Sequence, residues 1–269
     1  KNKTVFISGA TRGIGHAIGM KLAAEGANIV IAAKSTEVHP KLGGTIFSAA
    51  EDMNKVGGKG LAIKCDIRND DEVAAAVQQT VDTFGGIDIL INNASAINLS
   101  PIDHLDMKRY DLMQDINTRG TFLCSKMCLP HLLKSENPHI LMLSPPLTSI
   151  TERWFAGHTG YSIAKFGMSL VVLGLAGEYK GKVGINALWP RTTIATAAVM
   201  NLLGGESVAN SSRKPAIIAD AAYYILQRDA KTTSGNFFMD DVVLLSEGIT
   251  NLDQYAVKPG TELTPDFFV

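Results

Sequence analysis

The chain has 269 residues, 46% of them hydrophobic and 19% charged, with a formal net charge of −1. This is ordinary globular composition with enough apolar material for a sizeable core, and the near-zero charge leaves no electrostatic footprint for nucleic acid or an anionic membrane. Three cysteines (Cys65, Cys124, Cys128) make no disulfide framework and six scattered histidines lack a zinc-type spacing, so no metal is expected.

Residues 1–8 run straight into a strand, and no apolar run approaches the ~20 residues of a transmembrane helix. No targeting segment and no membrane insertion are expected, and the chain is assigned to the cytoplasm, a reducing compartment. Cys124 and Cys128 share a helical face; with no histidine near them in sequence, buried packing is their expected role.

Along the chain, nearly continuous apolar runs predict strands over Thr4–Ser8, Asn28–Ala33, Gly60–Asp66, Ile87–Asn92, His139–Ser144, Val183–Trp189 and Asn236–Asp240. Amphipathic stretches fall between them, clearest over Ile14–Glu25, Asp70–Phe84 and Tyr161–Tyr179. The alternation implies an α/β fold: one Rossmann-type, doubly wound parallel sheet of about seven strands with helices on both faces, spanning 1–269 as one domain. Two long connections, Lys34–Gly44 and Thr192–Pro215, follow the second and sixth strands, the ends where ligands bind in such sheets.

The first strand runs into Ser8-Gly9-Ala10-Thr11-Arg12-Gly13-Ile14-Gly15, which opens the first helix. Glycines there permit a tight turn and let backbone amides approach a pyrophosphate. A fold that prefers NAD places an acid at the end of the second strand to hold the ribose hydroxyls. Here that strand ends Ala32-Ala33-Lys34, and Arg12 is a second nearby cation, a pattern that favours NADP. Asp66, closing the third strand, suits either an adenine amino group or a helix cap. Asn92-Asn93-Ala94 closes the fourth, as ribose brace or turn.

Tyr161 is the only one of six tyrosines with lysine at +4, and on a helix Tyr161 and Lys165 share a face. A tyrosine titrates near ~10, and a nearby positive charge favours its phenolate. The pair is therefore read as a general acid–base tuned downward by the ammonium.

Glycine turn, Asp66, Asn92-Asn93-Ala94, Asn117 and Tyr161-x3-Lys165 stand in one order that resembles the short-chain dehydrogenase/reductase family over essentially the whole chain. The resemblance implies an NADPH-dependent oxidoreductase interconverting a carbonyl and an alcohol on a small, apolar or lipid-like substrate, assembled as a homodimer or homotetramer. Its interface helices would be the one from Tyr161 and the one through Thr121–Leu132. The resemblance makes Tyr161 the acid–base and gives Lys165 the phenol and the nicotinamide ribose. Asn117 would stabilise a helix kink and a water leading to Lys165. Gly9, Thr11, Arg12, Gly13, Ile14 and Gly15 would surround the phosphates, Lys34 the 2′-phosphate, Asp66 and Ile67 the adenine, Asn92 and Ala94 the ribose, and Pro190, Ile194 and Thr196 the carboxamide end.

Departures from the family pattern fall at four places. Ser95 replaces a glycine, Pro190-Arg191 stands for Pro-Gly and Asp240-Asp241 for Asp-Gly. The fifth strand ends Ser144-Pro145 where the family has Ser-Ser, leaving Ser144, Thr148 and Ser149 as candidates for the catalytic hydroxyl, with Ser144 favoured. Two other readings stay open: a nucleotide-binding sensor with little catalysis, motivated by the altered serine, and an enoyl thioester reductase on the same fold. Trp154, Phe155, Met200, Leu202 and Leu203 are candidates for an apolar substrate pocket, or for plain helix packing.

Overall fold

The computed structural model describes residues 1–40, 42–202 and 204–269, without the Leu202 side chain. In chain order the elements are β1 (Thr4–Ser8), α1 (Gly13–Ala24), β2 (Asn28–Ala33), α2 (Ile46–Lys55), β3 (Lys59–Lys64), α3 (Asp70–Phe84), β4 (Ile89–Asn92) and α4 (Met107–Met113). A π-helical turn, Gln114–Arg119, leads directly into α5 (Gly120–Leu132), then β5 (His139–Met142), α6 (Glu152–Phe155) and α7 (Thr159–Glu178). β6 (Gly184–Trp189), α8 (Ala197–Leu202), α9 (Gly205–Asn210), α10 (Ala216–Gln227), β7 (Phe237–Met239) and α11 (Asp240–Ser246) follow, with short 3-10 turns at Leu147–Ser149 and Asp253–Tyr255.

All seven strands are parallel, in the order β3-β2-β1-β4-β5-β6-β7. Successive side chains of a strand point to opposite faces, and both faces are covered. Val5, Ile7, Ile29, Ile31, Ile89 and Ile91 pack towards α1, α2 and α10. Phe6, Val30, Leu90, Ile140, Met142 and Ile185 pack towards α3, α5 and α7. This two-sided burial is why the strands read as continuous rather than alternating apolar runs. The strand order reverses between β1 and β4, opening a crevice above their carboxyl ends.

Several predicted strands end earlier than expected. The fifth stops at Met142 rather than Ser144, because Ser144 N–H turns back to the Met142 carbonyl at 3.0 Å. The third stops at Lys64, and the Asp66 N–H is taken by the Glu72 carboxylate at 2.8 Å. Asn69 rather than Asp66 caps α3, accepting from the amides of Asp71 and Glu72. Within the loop expected over Thr192–Pro215 lie two short helices, α8 and α9.

α7, with 20 residues, has the length and apolar character of a membrane span, against the expectation of no such run. Half of it is buried here, against neighbours that include Met113 at the end of α4 and Trp189 on β6. Cys124 and Cys128 are buried in the core beside Leu123 and Leu129, and burial pushes both thiols up.

Candidate active site

The glycine turn makes one wall of a cleft of about 620 Å³ at the strand-order reversal. Gly9 has φ +73°, and a Cβ there would sit 2.9 Å from the Ala94 Cα. At Gly15 a Cβ would run into the Asn93 side chain and the Gly9 carbonyl. The loop therefore needs glycine for its close approach to the fourth strand's end. α1 begins with no side-chain cap from Arg12, so first-turn amides remain available to a phosphate. These features fit a dinucleotide laid across the strand ends.

Gly9, Thr11, Arg12, Gly13, Ile14, Lys34, Asp66, Ile67, Ala94 and Thr196 all line this cleft. Six expected positions do not: Tyr161 and Lys165 lie on α7, outside the residues that line it, and four others are turned away. Gly15 lies behind the turn, Pro190 and Ile194 are buried, and Asn92 is 2% exposed, its amide donating to Ser125 Oγ at 3.1 Å. Asn93 reaches the cleft instead, donating to the carbonyls of Ser8 and Gly9 at 3.1 and 2.9 Å. Ser8 Oγ ties the strand ends by accepting from the amides of Asn93 and Ala94.

At the end of β2 the charges are interlocked. Arg12 donates to the Gly43 carbonyl and to Ser35 Oγ at 2.9 Å. Lys34 lies 3.6 Å from Asp66, whose carboxylate also takes three bonds from the Arg68 guanidinium, the shortest at 2.6 Å. The Arg68 bonds, with help from Lys34, hold the Asp66 carboxyl down at about 2 against the opposing effect of burial.

The other half of the site is built on α7. Tyr161 and Lys165 are 7% and 3% exposed. Lys165 Nζ donates to the Leu143 carbonyl at 2.6 Å, at the end of β5, and lies 4.9 Å from the Trp189 ring centroid. Asn117 is fully buried in the π-helical turn and clamps the backbone of Ala96, accepting from its N–H at 2.8 Å and donating to its carbonyl at 3.0 Å. The π turn places Asn117 between α4 and α5. Replacing Asn117 by Ala leaves two part-buried backbone groups of Ala96 without their partner, so unfolding free energy should fall by about 1–3 kcal/mol in a denaturant titration.

One electrostatic expectation is reversed. The Tyr161 phenol is pushed above its ordinary value, by burial first and by the Asp266 charge second. Burial also holds the Lys165 ammonium down, to about 7, with Asp266 partly opposing this. Full burial moves a group by ~3–5 pH units and a neighbouring opposite charge by ~1–3, so desolvation wins at both residues. The i,i+4 spacing put the two groups on one face but did not report how dry that face is.

The three hydroxyl candidates separate clearly. Ser144 Oγ is fully buried and has no hydrogen-bond partner among the described residues. Thr148 is exposed, and Ser149 Oγ donates to the Phe268 carbonyl at 2.5 Å. Of the apolar candidates, Trp154 and Phe155 pack with Tyr161 and Phe268. Met200 is 47% exposed and lines a second cleft with Arg12, Gly13 and Ala197, which Tyr161 does not line. Leu203 and the Leu202 side chain fall outside the described residues.

Sequence reasoning missed two clusters. Arg191 and Asp241, separate departures from the family pattern, meet: Arg191 Nε donates to Asp241 at 3.0 Å, and the Arg191 N–H donates to the buried Asp240 carboxylate at 2.8 Å. The second is the segment Pro265-Asp266-Phe267-Phe268, which lies against Tyr161. Only its apolar character was a signal.

The fold and this site define a short-chain dehydrogenase. Residues 3–206 match the family described as short chain dehydrogenase, and the chain belongs to that family. Its members are oxidoreductases that act on small molecules with a nicotinamide cofactor. Among particular proteins, it is 54% identical over 266 residues to hydroxysteroid dehydrogenase-like protein 2 of Xenopus laevis, covering 99% of this chain and 63% of that protein. The human protein of the same name gives the same figures. The chain thus spans less than two thirds of the length of these curated relatives. A crystal structure of a short chain dehydrogenase from Mycobacterium thermoresistibile superposes with a TM-score of 0.94 at 51% identity, over 100% of this chain and 95% of that one.

Proposed function

We propose that the protein is an NADP-dependent reductase that interconverts a carbonyl and an alcohol on an apolar substrate, with Tyr161 as the proton donor. The observation that carries this reading is the placement of Tyr161 and Lys165, buried on one face of α7, with Lys165 anchored to the end of β5 one residue before the unpartnered hydroxyl of Ser144.

A bound nicotinamide cofactor would supply the hydride, and the residues lining the cleft would hold it. Tyr161 gives its proton to the substrate oxygen as negative charge develops there. A buried donor with no competing partner is worth most at such a point, which favours Ser144 as the second hydroxyl on that oxygen. Lys165, close by on the same face, favours the phenolate left behind. Asn117, in the π turn before α5, holds the Ala96 backbone in place. The intact Tyr161, Lys165 and Asn117 argue against a sensor without catalysis.

The NADP preference rests on Lys34 and Arg12 at the end of β2, with no carboxylate on Ala32 or Ala33. Lys34→Ala should weaken NADPH binding by about 10-fold or more, the order of one charge-assisted phosphate contact, and leave NADH binding unchanged. Titration calorimetry with both cofactors checks this, and equal affinity for the two in the wild type would refute the preference. A homodimer or homotetramer is supported by exposed apolar side chains on the two helices expected at the interface: Phe122 on α5, and Ile163, Leu170 and Leu173 on α7.

A further inference from the structure

The space beside the Tyr161 ring is already taken. Phe268 has no exposed surface and lies in one apolar cluster with Met113, Tyr161, Phe166 and Trp189. Its ring stacks at 6.0 Å from that of Tyr161, with the planes 26° apart, and Phe267 meets the same ring edge-on at 6.5 Å. Polar bonds seat the segment. Trp189 Nε1–H donates to the Phe267 carbonyl at 2.7 Å, and Ser149 Oγ donates to that of Phe268. The Asp266 N–H donates to the Arg191 carbonyl at 3.2 Å and the Thr264 N–H to that of Ser211 at 2.9 Å.

Three features distinguish this segment from permanent core. It belongs to no helix or strand, and its one ladder-like contact is an isolated bridge between Thr192 and Pro265. It can therefore leave without breaking the sheet. Phe268 has φ +68°, a left-handed backbone that an aromatic residue adopts only under constraint. Docking also carries the Asp266 carboxyl into surroundings that push it up, to about 7, through burial first, with the nearby Asp240 charge adding to it and the Phe267 N–H and then Lys165 only partly compensating. The docked state is thus held by apolar packing against strain and desolvation. The cofactor cleft, by contrast, is open, and Tyr161 is not among the described residues that line it.

We propose that residues 264–269 form an occluding strap seated in the substrate's apolar subsite, and that a substrate reaches Tyr161 by taking the place of Phe268. This rests on Tyr161 being the proton donor. It also names the substrate class: a carbonyl compound carrying a flat or extended apolar group of at least phenyl size. Such a group replaces the packing that Phe268 gives up, whereas a small polar carbonyl does not.

Amide hydrogen exchange of the full chain with NADPH tests this, using 2-acetylnaphthalene as the apolar ketone and acetone as the small one. Amides of Thr264, Asp266 and Phe268 should exchange at least ~100-fold faster than those of Ile185 and Ala187 in β6, reporting local opening. Saturating 2-acetylnaphthalene should speed them further and acetone should not. Phe268→Ala should lower KM for 2-acetylnaphthalene by about 10-fold, the order of one released apolar contact set, with NADPH affinity unchanged. Exchange of the strap only together with β6, or at a rate unchanged by saturating 2-acetylnaphthalene, overturns the proposal. Should Phe268→Ala fail to fold, the wild-type exchange pattern alone decides. The two readings fail separately. Full turnover by Tyr161→Phe with an opening strap removes the proton donor, and a strap that stays shut in an enzyme that needs Tyr161 removes the strap.

Discussion

Replacing Tyr161 by phenylalanine is expected to lower kcat by about 10²–10⁴-fold, the range supplied by a positioned general acid, while NADPH affinity stays as in the wild type. The substitution removes one oxygen and keeps the ring, so packing against Phe268 and Phe267 is retained. It also keeps the four-residue register that sets Lys165 against the Leu143 carbonyl. The phenol is shifted up by burial first and by Asp266 second, which makes it a weaker acid than a free tyrosine. Withdrawal of Asp266 with its segment would remove one of the two causes of that shift. Steady-state kinetics with calorimetric cofactor binding separates loss of the proton donor from loss of the fold. Unchanged turnover would remove Tyr161 from the chemistry.

Lys165→Met should split activity from stability in opposite directions. Lys165 is buried and its charge is held down to about 7 by desolvation, with one hydrogen bond to Leu143 O and the Trp189 face as its chief compensation. Replacing an incompletely compensated buried charge by an apolar side chain of similar volume is commonly neutral or stabilising by about 1–4 kcal/mol. Turnover should nevertheless fall by ~10²-fold or more, because the phenolate loses its cation. The pH dependence gives a second readout. Between about 7 in the folded chain and 10.5 in the unfolded one, the unfolded state binds more protons at Lys165, so wild-type stability rises with pH across that window. Lys165→Met should lack that rise in urea titrations at a series of pH values.

The sequence was informative where chemistry is local. Continuous apolar runs reported a sheet covered on both faces, and the glycine spacing reported a turn that tolerates no Cβ at Gly9 or Gly15. Asp70–Phe84 was legible end to end from its amphipathic pattern, and the structure shows Asn69 capping it and Gly85, at φ +86°, ending it. Adjacent residues at a strand end were harder. Asn92 and Asn93 have the same chemistry, but strand alternation turns Asn92 inward to Ser125 and leaves Asn93 to reach the glycine turn. Long-range pairing was not legible. Arg191 and Asp241 each looked like an isolated departure, and nothing in their spacing announces an ion pair 50 residues apart. Phe267 and Phe268 lie more than a hundred residues from Tyr161, and only the folded chain brings them to its ring. The direction of the Tyr161 shift was missed for a related reason, since Asp266 arrives from the same distant segment.

The central claim, hydride transfer to a carbonyl carbon with Tyr161 supplying the proton, is tested most directly by isotope placement. Turnover of 2-acetylnaphthalene with NADPH deuterated at the nicotinamide C4 should give an alcohol carrying one deuterium on the carbinol carbon, with the signal lost in Tyr161→Phe. Deuterium absent from that carbon during turnover, or incorporated equally well by Tyr161→Phe, would contradict it. A parallel incubation with an enoyl thioester should return no deuterium in a saturated acyl chain; finding it there would assign the site to double-bond reduction instead.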